Sequence, residues 1–246
     1  MGPVGLHGGG EFLPGDEPFL DALLRAAAAI TGAVEDGGAT ASRPVRIVLV
    51  PTAAARGRPE QAAATGRAAF ERRAAVLGIP VEIDVAMIVD AASAADEREA
   101  ERVRLADLVY LPGGDPDIAP HLLDGSVAGR ALRAAREGGT VVAGASAGAM
   151  ALADWSWTPK GGIPGLGFVH GLAVVPHYDE IRRLSWQAGL ARVAPDGLGY
   201  LGLDERTGVI SEAAGWRVAG RGAAHWFAQG KNDAMVARDG SLIRLA

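Results

Sequence analysis

Residues 140 to 150 read Thr140-Val141-Val142-Ala143-Gly144-Ala145-Ser146-Ala147-Gly148-Ala149-Met150. The first four are a β-type run, and Ala147 to Ala153 is compatible with a helix. Between them stands Gly-x-Ser-x-Gly, the pattern of a nucleophile elbow at a strand-to-helix turn. Such a turn pushes the serine hydroxyl out of the sheet edge. Strand and helix close on each other there, so the neighbours must be small, and all four around Ser146 are Gly or Ala. The bland alternative is an ordinary tight connection carrying a small polar residue.

Upstream, strands and helices are expected in alternation. Val4 to His7 reads as a strand ending in Gly8-Gly9-Gly10, and Pro18 to Thr31 as a helix with Phe19, Leu23 and Ala27 on one stripe. A polar loop from Glu35 to Arg43 precedes a strand at Val45 to Val50. Then follow a helix at Pro59 to Leu77, a strand at Val81 to Val85 and a helix at Ala94 to Arg104. Leu108 to Leu111 reads as a strand running into Pro112-Gly113-Gly114-Asp115, and Val127 to Glu137 as a helix. This order implies α/β architecture, a mostly parallel sheet flanked by helices on both faces. The segment from Trp155 to Gly167 reads as a surface loop. Beyond residue 171, short pieces (Leu172 to Val175, Tyr200 to Leu203, Val209 to Ser211, Trp216 to Ala219, Ala234 to Ala237) suggest a short-stranded C-terminal extension.

The chain has 246 residues, 49% of them hydrophobic, which suits a single α/β domain over 1–246. Its net charge of −5 includes no cationic block. Neither a nucleic-acid footprint nor a membrane-binding patch is expected. Cysteine is absent, which excludes disulfides and a thiolate nucleophile. No signal-peptide pattern opens the chain and no apolar run matches a membrane span, so a cytoplasmic location is expected. No His-Glu-x-x-His occurs, and neither metal nor cofactor is expected.

A serine needs a base, and the base needs an orienting group. Of His7, His121, His170, His177 and His225, the best placed is His177, which follows the apolar run Val174-Val175-Pro176. Open α/β sheets gather their sites at such strand ends. Asp204 and Glu205 follow another strand and point in different directions if its geometry continues, so one faces the site. Asp154 and Asp179 are alternative acids. Ala147 N–H supplies one oxyanion donor, and Gly113-Gly114 is a source for the second.

Together Gly8-Gly9-Gly10, Leu111-Pro112-Gly113-Gly114-Asp115, Gly144 to Ala149, Pro176-His177-Tyr178 and Gly202-Leu203-Asp204-Glu205 resemble the S51 serine peptidase family. That family holds peptidase E, an α-aspartyl dipeptidase, and the cyanophycinases. The resemblance implies a fold like that of class I glutamine amidotransferases, with serine in place of the cysteine nucleophile. It implies Ser146 as nucleophile, His177 as base and Glu205 as third member, with Asp154 also open for that role. Gly114 and Ala147 would form the oxyanion hole. The implied activity is cleavage of a small peptide or isopeptide amide, such as an aspartyl dipeptide, through an acyl-enzyme. Gly113, Asp115, Tyr178, Arg182 and Arg183 are candidate substrate contacts, the arginines for a carboxylate. A homodimer is compatible with the family. Cyanophycinases carry polar residues before the histidine and a glutamine after Gly-Gly-Asp, where this chain has Val175, Pro176 and Pro116. Peptidase E usually has Gly-Gly-Asn where this chain has Gly113-Gly114-Asp115.

Two further readings stand beside this one. His7-Gly8-Gly9-Gly10 matches the oxyanion motif of α/β-hydrolase esterases, with Ser146, Asp204 and His225 in that fold's triad order. The motif lies several strand-helix units before the elbow, which argues against that fold. The other reading is a non-catalytic domain that keeps the fold for binding.

Overall fold

The computed structural model describes residues 1–32, 43–158, 160–181, 189–190, 192–231 and 233–245. Most of the loop expected from Glu35 to Arg43 falls outside them, as do Arg182 and Arg183.

The first half alternates as its hydrophobic pattern dictates. β1 (Val4–His7) leads to α1 (Glu17–Thr31), then β2 (Val45–Leu49), α2 (Pro59–Leu77) and β3 (Val81–Val85). Then come α3 (Ala91–Ala94), α4 (Glu97–Arg104), β4 (Leu108–Leu111), α5 (Ile118–Leu123), α6 (Val127–Glu137), β5 (Val141–Ala145) and α7 (Ala147–Leu152). The helix expected from Ala94 to Arg104 is two. Asp90 and Ser93 form a capping box on α3, and the Asp96 carboxylate accepts from Arg98 N–H to start α4 afresh.

The second half comprises β6 (Ala153–Thr158), β7 (Gly161–Pro164), β8 (Val169–Val175), α8 (Tyr178–Ile181) and β9 (Gly199–Leu203). It continues with β10 (Thr207–Glu212), β11 (Gly215–Gly220), β12 (Ala223–Phe227), β13 (Met235–Arg238) and β14 (Leu242–Ile243).

One sheet has the order β14-β11-β10-β1-β5-β4-β2-β3. Its strands β1, β5, β4, β2 and β3 run parallel. β10, β11 and β14 continue it antiparallel from β1. Successive residues of the inner strands enter opposite layers, as the two-residue period requires. Ile47, Leu49, Leu108, Tyr110 and Ala143 pack against α1 and α2, with Phe19, Leu23 and Phe70. Val48, Val109, Leu111 and Val142 meet the other helices, with Val103, Leu132 and Met150.

The second sheet has the order β13-β12-β9-β8-β6-β7. Leu172, Val174, Leu201, Leu203 and Trp226 join the same buried cluster as Val4, Leu6 and Val142, so the two sheets share a hydrophobic layer. The C-terminal extension is thus divided. β10, β11 and β14 widen the first sheet, and β8, β9, β12 and β13 build the second.

The loop expected from Trp155 to Gly167 is largely the β6–β7 hairpin, with Trp155 paired to Pro164 and Trp157 to Gly162. The Trp155 indole covers Gly162, where any side chain would collide with it. Glycine there is a packing partner rather than a breaker. β12 went unread because Ala-Ala-His-Trp-Phe is buried throughout and shows no alternation. Residues pointing to either side of the strand are all buried, so both its faces are covered.

Phe19 is fully buried. Its ring lies 4.8 Å from the His7 ring and over Gly208, where a Cβ would come within 2.5 Å of it. Phe19→Ala is expected to cost about 3–5 kcal/mol, the range for a buried phenylalanine. Urea unfolding should show a lower midpoint with an unchanged slope. A loss below about 1 kcal/mol would contradict this packing account.

Candidate active site

Ser146 stands between β5 and α7 with φ 48° and ψ −117°, a conformation L side chains rarely adopt. A non-glycine held there stores on the order of 1–3 kcal/mol, kept only where the surroundings enforce it. The enforcement is visible. Ser146 N–H donates to the His7 carbonyl at 2.9 Å, and the Ser146 carbonyl accepts Met150 N–H at 2.9 Å. A Cβ on Gly144 would sit 2.6 Å from the Gly148 carbonyl oxygen, so strand and helix touch as the all-small frame predicts.

The Ser146 hydroxyl lies 3.0 Å from His177 Nε2, and His177 Nδ1 lies 2.7 Å from Glu205 Oε1. His177 leaves the end of β8 with φ 51°, and Arg206, beside Glu205, has φ 57°. Thus all three side chains in the relay sit on or beside strained turns at strand ends. Glu205 arrives from β9. Its N–H donates to Asp179 Oδ1 at 3.0 Å, tying its loop to the helix that follows His177. The His177 and Glu205 side chains are 34% and 24% exposed, so the relay is open to solvent from one side.

The loop after β1 closes the site from below. Gly8 carbonyl accepts His177 N–H at 2.7 Å and Gly9 carbonyl accepts Arg206 N–H at 2.7 Å. Gly9 itself has φ 103°, and a Cβ there would collide with the His177 imidazole. Only glycine meets both demands. His7-Gly8-Gly9-Gly10 therefore cradles the imidazole and is not built as an esterase oxyanion loop.

The other acids are committed elsewhere. Asp204 Oδ2 accepts Ala223 N–H at 2.9 Å, and Oδ1 lies 3.2 Å from His225 Nε2. His225 stacks on Tyr178, ring centroids 4.4 Å apart, while the Ser146 hydroxyl faces His177. The Ser146-Asp204-His225 arrangement is thus not assembled. Asp154 holds His170 Nδ1 at 2.9 Å and Gly171 N–H at 2.6 Å, which removes it from His177. Asp179 serves the Glu205 backbone rather than the imidazole.

Of the expected substrate contacts, Tyr178 is buried, because the turn at His177 sends its ring into the second sheet over Gly202, against His225 and Phe227. Asp115 shapes the Gly-Gly turn, accepting Asp117 N–H at 3.0 Å and pairing with Arg56 at 3.0 Å. Ala147 lies at the first turn of α7 and Gly114 after β4, beside Gly113. Among the described residues, neither Gly114 N–H nor Ala147 N–H has a backbone or side-chain acceptor. Gly113 N–H does have one: Glu11 Oε1 at 2.9 Å.

Glu11 was not singled out from sequence, although an acid directly after a glycine turn at a strand's end was a signal. A Cβ on Gly113 would lie 2.9 Å from Glu11 Oε1 and 3.1 Å from Ser146 Cβ, so the carboxylate and the serine crowd the same face of Gly113. Burial, with the charges of Asp16 and Glu11 nearby, pushes the Tyr110 hydroxyl well above the usual phenol range. Among the described residues no group of three or more His, Cys, Asp or Glu is placed to hold a metal ion. No described helix is long and apolar enough to cross a membrane.

Comparison with known proteins agrees with this architecture. A peptidase from an acI-B1 actinobacterium superposes with a TM-score of 0.81 at 23% identity, covering 99% of this chain and 97% of that one. A protein assigned to peptidase E, from Listeria monocytogenes EGD-e, gives 0.58 at 16% identity, covering 89% and 98%. At these identities the likeness is one of fold. Cyanophycinases from Synechococcus elongatus and Thermosynechococcus vestitus are each 30% identical over 155 residues, 58% of this chain. The chain spans about half the length of those relatives, the match covering 48% of each. The model of peptidase family S51 matches residues 36–216, and the chain belongs to that family.

Proposed function

We propose that this chain is a serine hydrolase that cleaves a small peptide or isopeptide amide bond through Ser146, His177 and Glu205. The observation that carries the reading is the continuous relay, 3.0 Å from hydroxyl to imidazole and 2.7 Å from imidazole to carboxylate. Family membership supports peptidase chemistry, and the names of the related proteins support an aspartyl-dipeptide-like or β-aspartyl substrate.

The relay sets the order of events. With Glu205 accepting from Nδ1–H, the neutral imidazole presents a bare Nε2 to the serine. Nε2 takes the hydroxyl proton as the oxygen attacks the amide carbonyl, and Glu205 stabilises the imidazolium that forms. The carbonyl oxygen becomes negative beside the N–H groups of Gly114 and Ala147. Collapse expels the amine, which takes the proton from Nε2 and leaves an acyl group on Ser146. Water, deprotonated by the same nitrogen, then releases the acid. No metal or cofactor enters these steps. The charge of −5 agrees with a small-molecule substrate rather than nucleic acid. The hydrophobic layer shared by the two sheets supports one unit over 1–246. A homodimer and a cytoplasmic setting complete the proposal.

Ser146→Ala should abolish both covalent labelling by a fluorophosphonate and hydrolysis of Asp-X dipeptides, β-aspartyl peptides and simple esters. Labelling of the wild type at any other residue would sink the assignment, and no labelling at all would favour a binding domain. Glu205→Gln should lower kcat by at most about 10⁴-fold with little change in KM, because the lost interaction belongs to the transition state. A wild-type kcat in that variant would remove Glu205 from the mechanism. Gly9→Ala should displace the imidazole and slow labelling by on the order of 10²-fold, the scale expected for a misplacement of about 1 Å. A near-normal labelling rate would show that the loop yields instead.

A further inference from the structure

Glu11 occupies a built position. Phe12, beside it, has φ 68°, unusual for a bulky residue, and the loop is held in that shape from several sides. Phe12 N–H donates to Asp16 Oδ2 at 2.8 Å. The Phe12 ring packs against Tyr110 and Phe70, with centroids 5.4 and 6.3 Å away. The outcome is a carboxylate fixed on the Gly113 N–H, on the face of Gly113 that Ser146 shares. Glu11 also lines a cavity of about 270 Å³ with Phe12, Arg58, Gln61, Thr65 and Pro112, which adjoins the site through Pro112-Gly113.

A fixed anion beside the acyl site has a chemical consequence. The proposed reaction builds negative charge on the substrate oxygen at the neighbouring N–H groups. A second negative charge close by opposes that step. The opposition disappears if the substrate brings a positive charge that lies against the carboxylate. In an α-linked peptide with a free amino terminus, the ammonium is two bonds from the attacked carbon. In a β-aspartyl isopeptide it is three.

Resting on the serine-peptidase reading, we propose that Glu11 is a specificity-determining residue: it binds a cationic nitrogen on the acyl side of the scissile bond and thereby selects substrates with a free amino group there. Glu11 takes no proton and forms no covalent bond; its charge is matched by the substrate's. N-acylated peptides lack the counter-charge and are disfavoured in both binding and turnover.

The test is competition against fluorophosphonate labelling of Ser146, with aspartate amide and alanine amide as competitors, each free or N-acetylated. Wild type and Glu11→Gln are compared. Glutamine keeps an oxygen that accepts Gly113 N–H and removes only the charge. The ratio of protecting concentrations is taken within each protein, so a change in labelling rate cancels. In the wild type the free amides should protect at concentrations at least about tenfold below their acetylated forms, roughly the worth of one charge-assisted contact. In Glu11→Gln that ratio should fall to near one. Hydrolysis of aspartyl and alanyl p-nitroanilides, free and N-acetylated, should show the same collapse in kcat/KM ratios. Equal protection by free and acetylated amides in the wild type, or by neither, overturns the proposal. So does an unchanged ratio in Glu11→Gln, or a variant that no longer labels, which would make Glu11 a prop for the loop. A wild type that is never labelled defeats the serine-peptidase reading itself, a result distinguishable from all of these.

Discussion

The side chains of His7 and Asp16 are both fully buried, with Nε2 and Oδ1 2.7 Å apart. His7 Nδ1 accepts Gly9 N–H at 3.2 Å, so the ring proton belongs on Nε2, beside the aspartate but off line for a hydrogen bond. Asp16 Oδ2 in turn takes Phe12 N–H. One buried pair thus shapes the whole turn from the end of β1 to the start of α1. On that turn hang Ser146 through the His7 carbonyl, His177 through Gly8 and Arg206 through Gly9. A buried ionisable pair is poor evidence for stability in itself, since desolvation offsets much of the attraction. Its use here is positional: it makes the backbone carbonyls of residues 7 to 9 a rigid template for three chain segments that come from different sheets.

Those origins explain why the site lies where it does. β1 and β5 belong to the parallel sheet and carry the cradle and the elbow. β8 and β9 belong to the second sheet and run parallel to each other, so His177 and Glu205 emerge at the same end. Leu6 and Val142 of the first sheet and Val174, Leu201 and Leu203 of the second lie in one buried cluster. The distances in the relay therefore depend on how the two sheets pack. The strained turns at Ser146, His177 and Arg206 all lie at this junction, where surrounding hydrogen bonds hold them.

The parallel half of the fold was legible because each strand there alternates between two helical layers or is wholly apolar, and each helix carries one stripe. The elbow was legible because steric closure leaves only small residues around Ser146. The second sheet was hard to read for physical reasons. In β6 and β7, glycine under Trp155 mimics a loop, and β12 hides its period by being covered on both sides. In the site, His177 and Glu205 stood out through their neighbours in sequence. Glu11 and Asp16 did not, and Asp179 was read only as an alternative acid for the imidazole, because each acts on a backbone N–H: that of Gly113, of Phe12 and of Glu205. Such a partner leaves no mark on side-chain pattern. Asp204 misleads for the opposite reason. It has a histidine partner and a strand-end position, yet its carboxylate is used to join β9 to β12.

The adjacent acids Asp204 and Glu205 show how geometry divides like residues. At the end of β9 the pleat sends one carboxylate to each side. Asp204 is buried between β9 and β12, where Ala223 N–H and His225 satisfy it. Glu205 faces the cleft, a quarter exposed, with His177 on Oε1. Exchanging their positions by a one-residue slip would bury the longer side chain without its partners and leave the shorter one reaching for the imidazole. The positive φ at Arg206 guards against that slip. It turns the chain sharply after Glu205, and Gly9 carbonyl holds the turn by accepting Arg206 N–H. The register of β9 and the reach of the orienting acid are thus secured by the same glycine loop that cradles the imidazole.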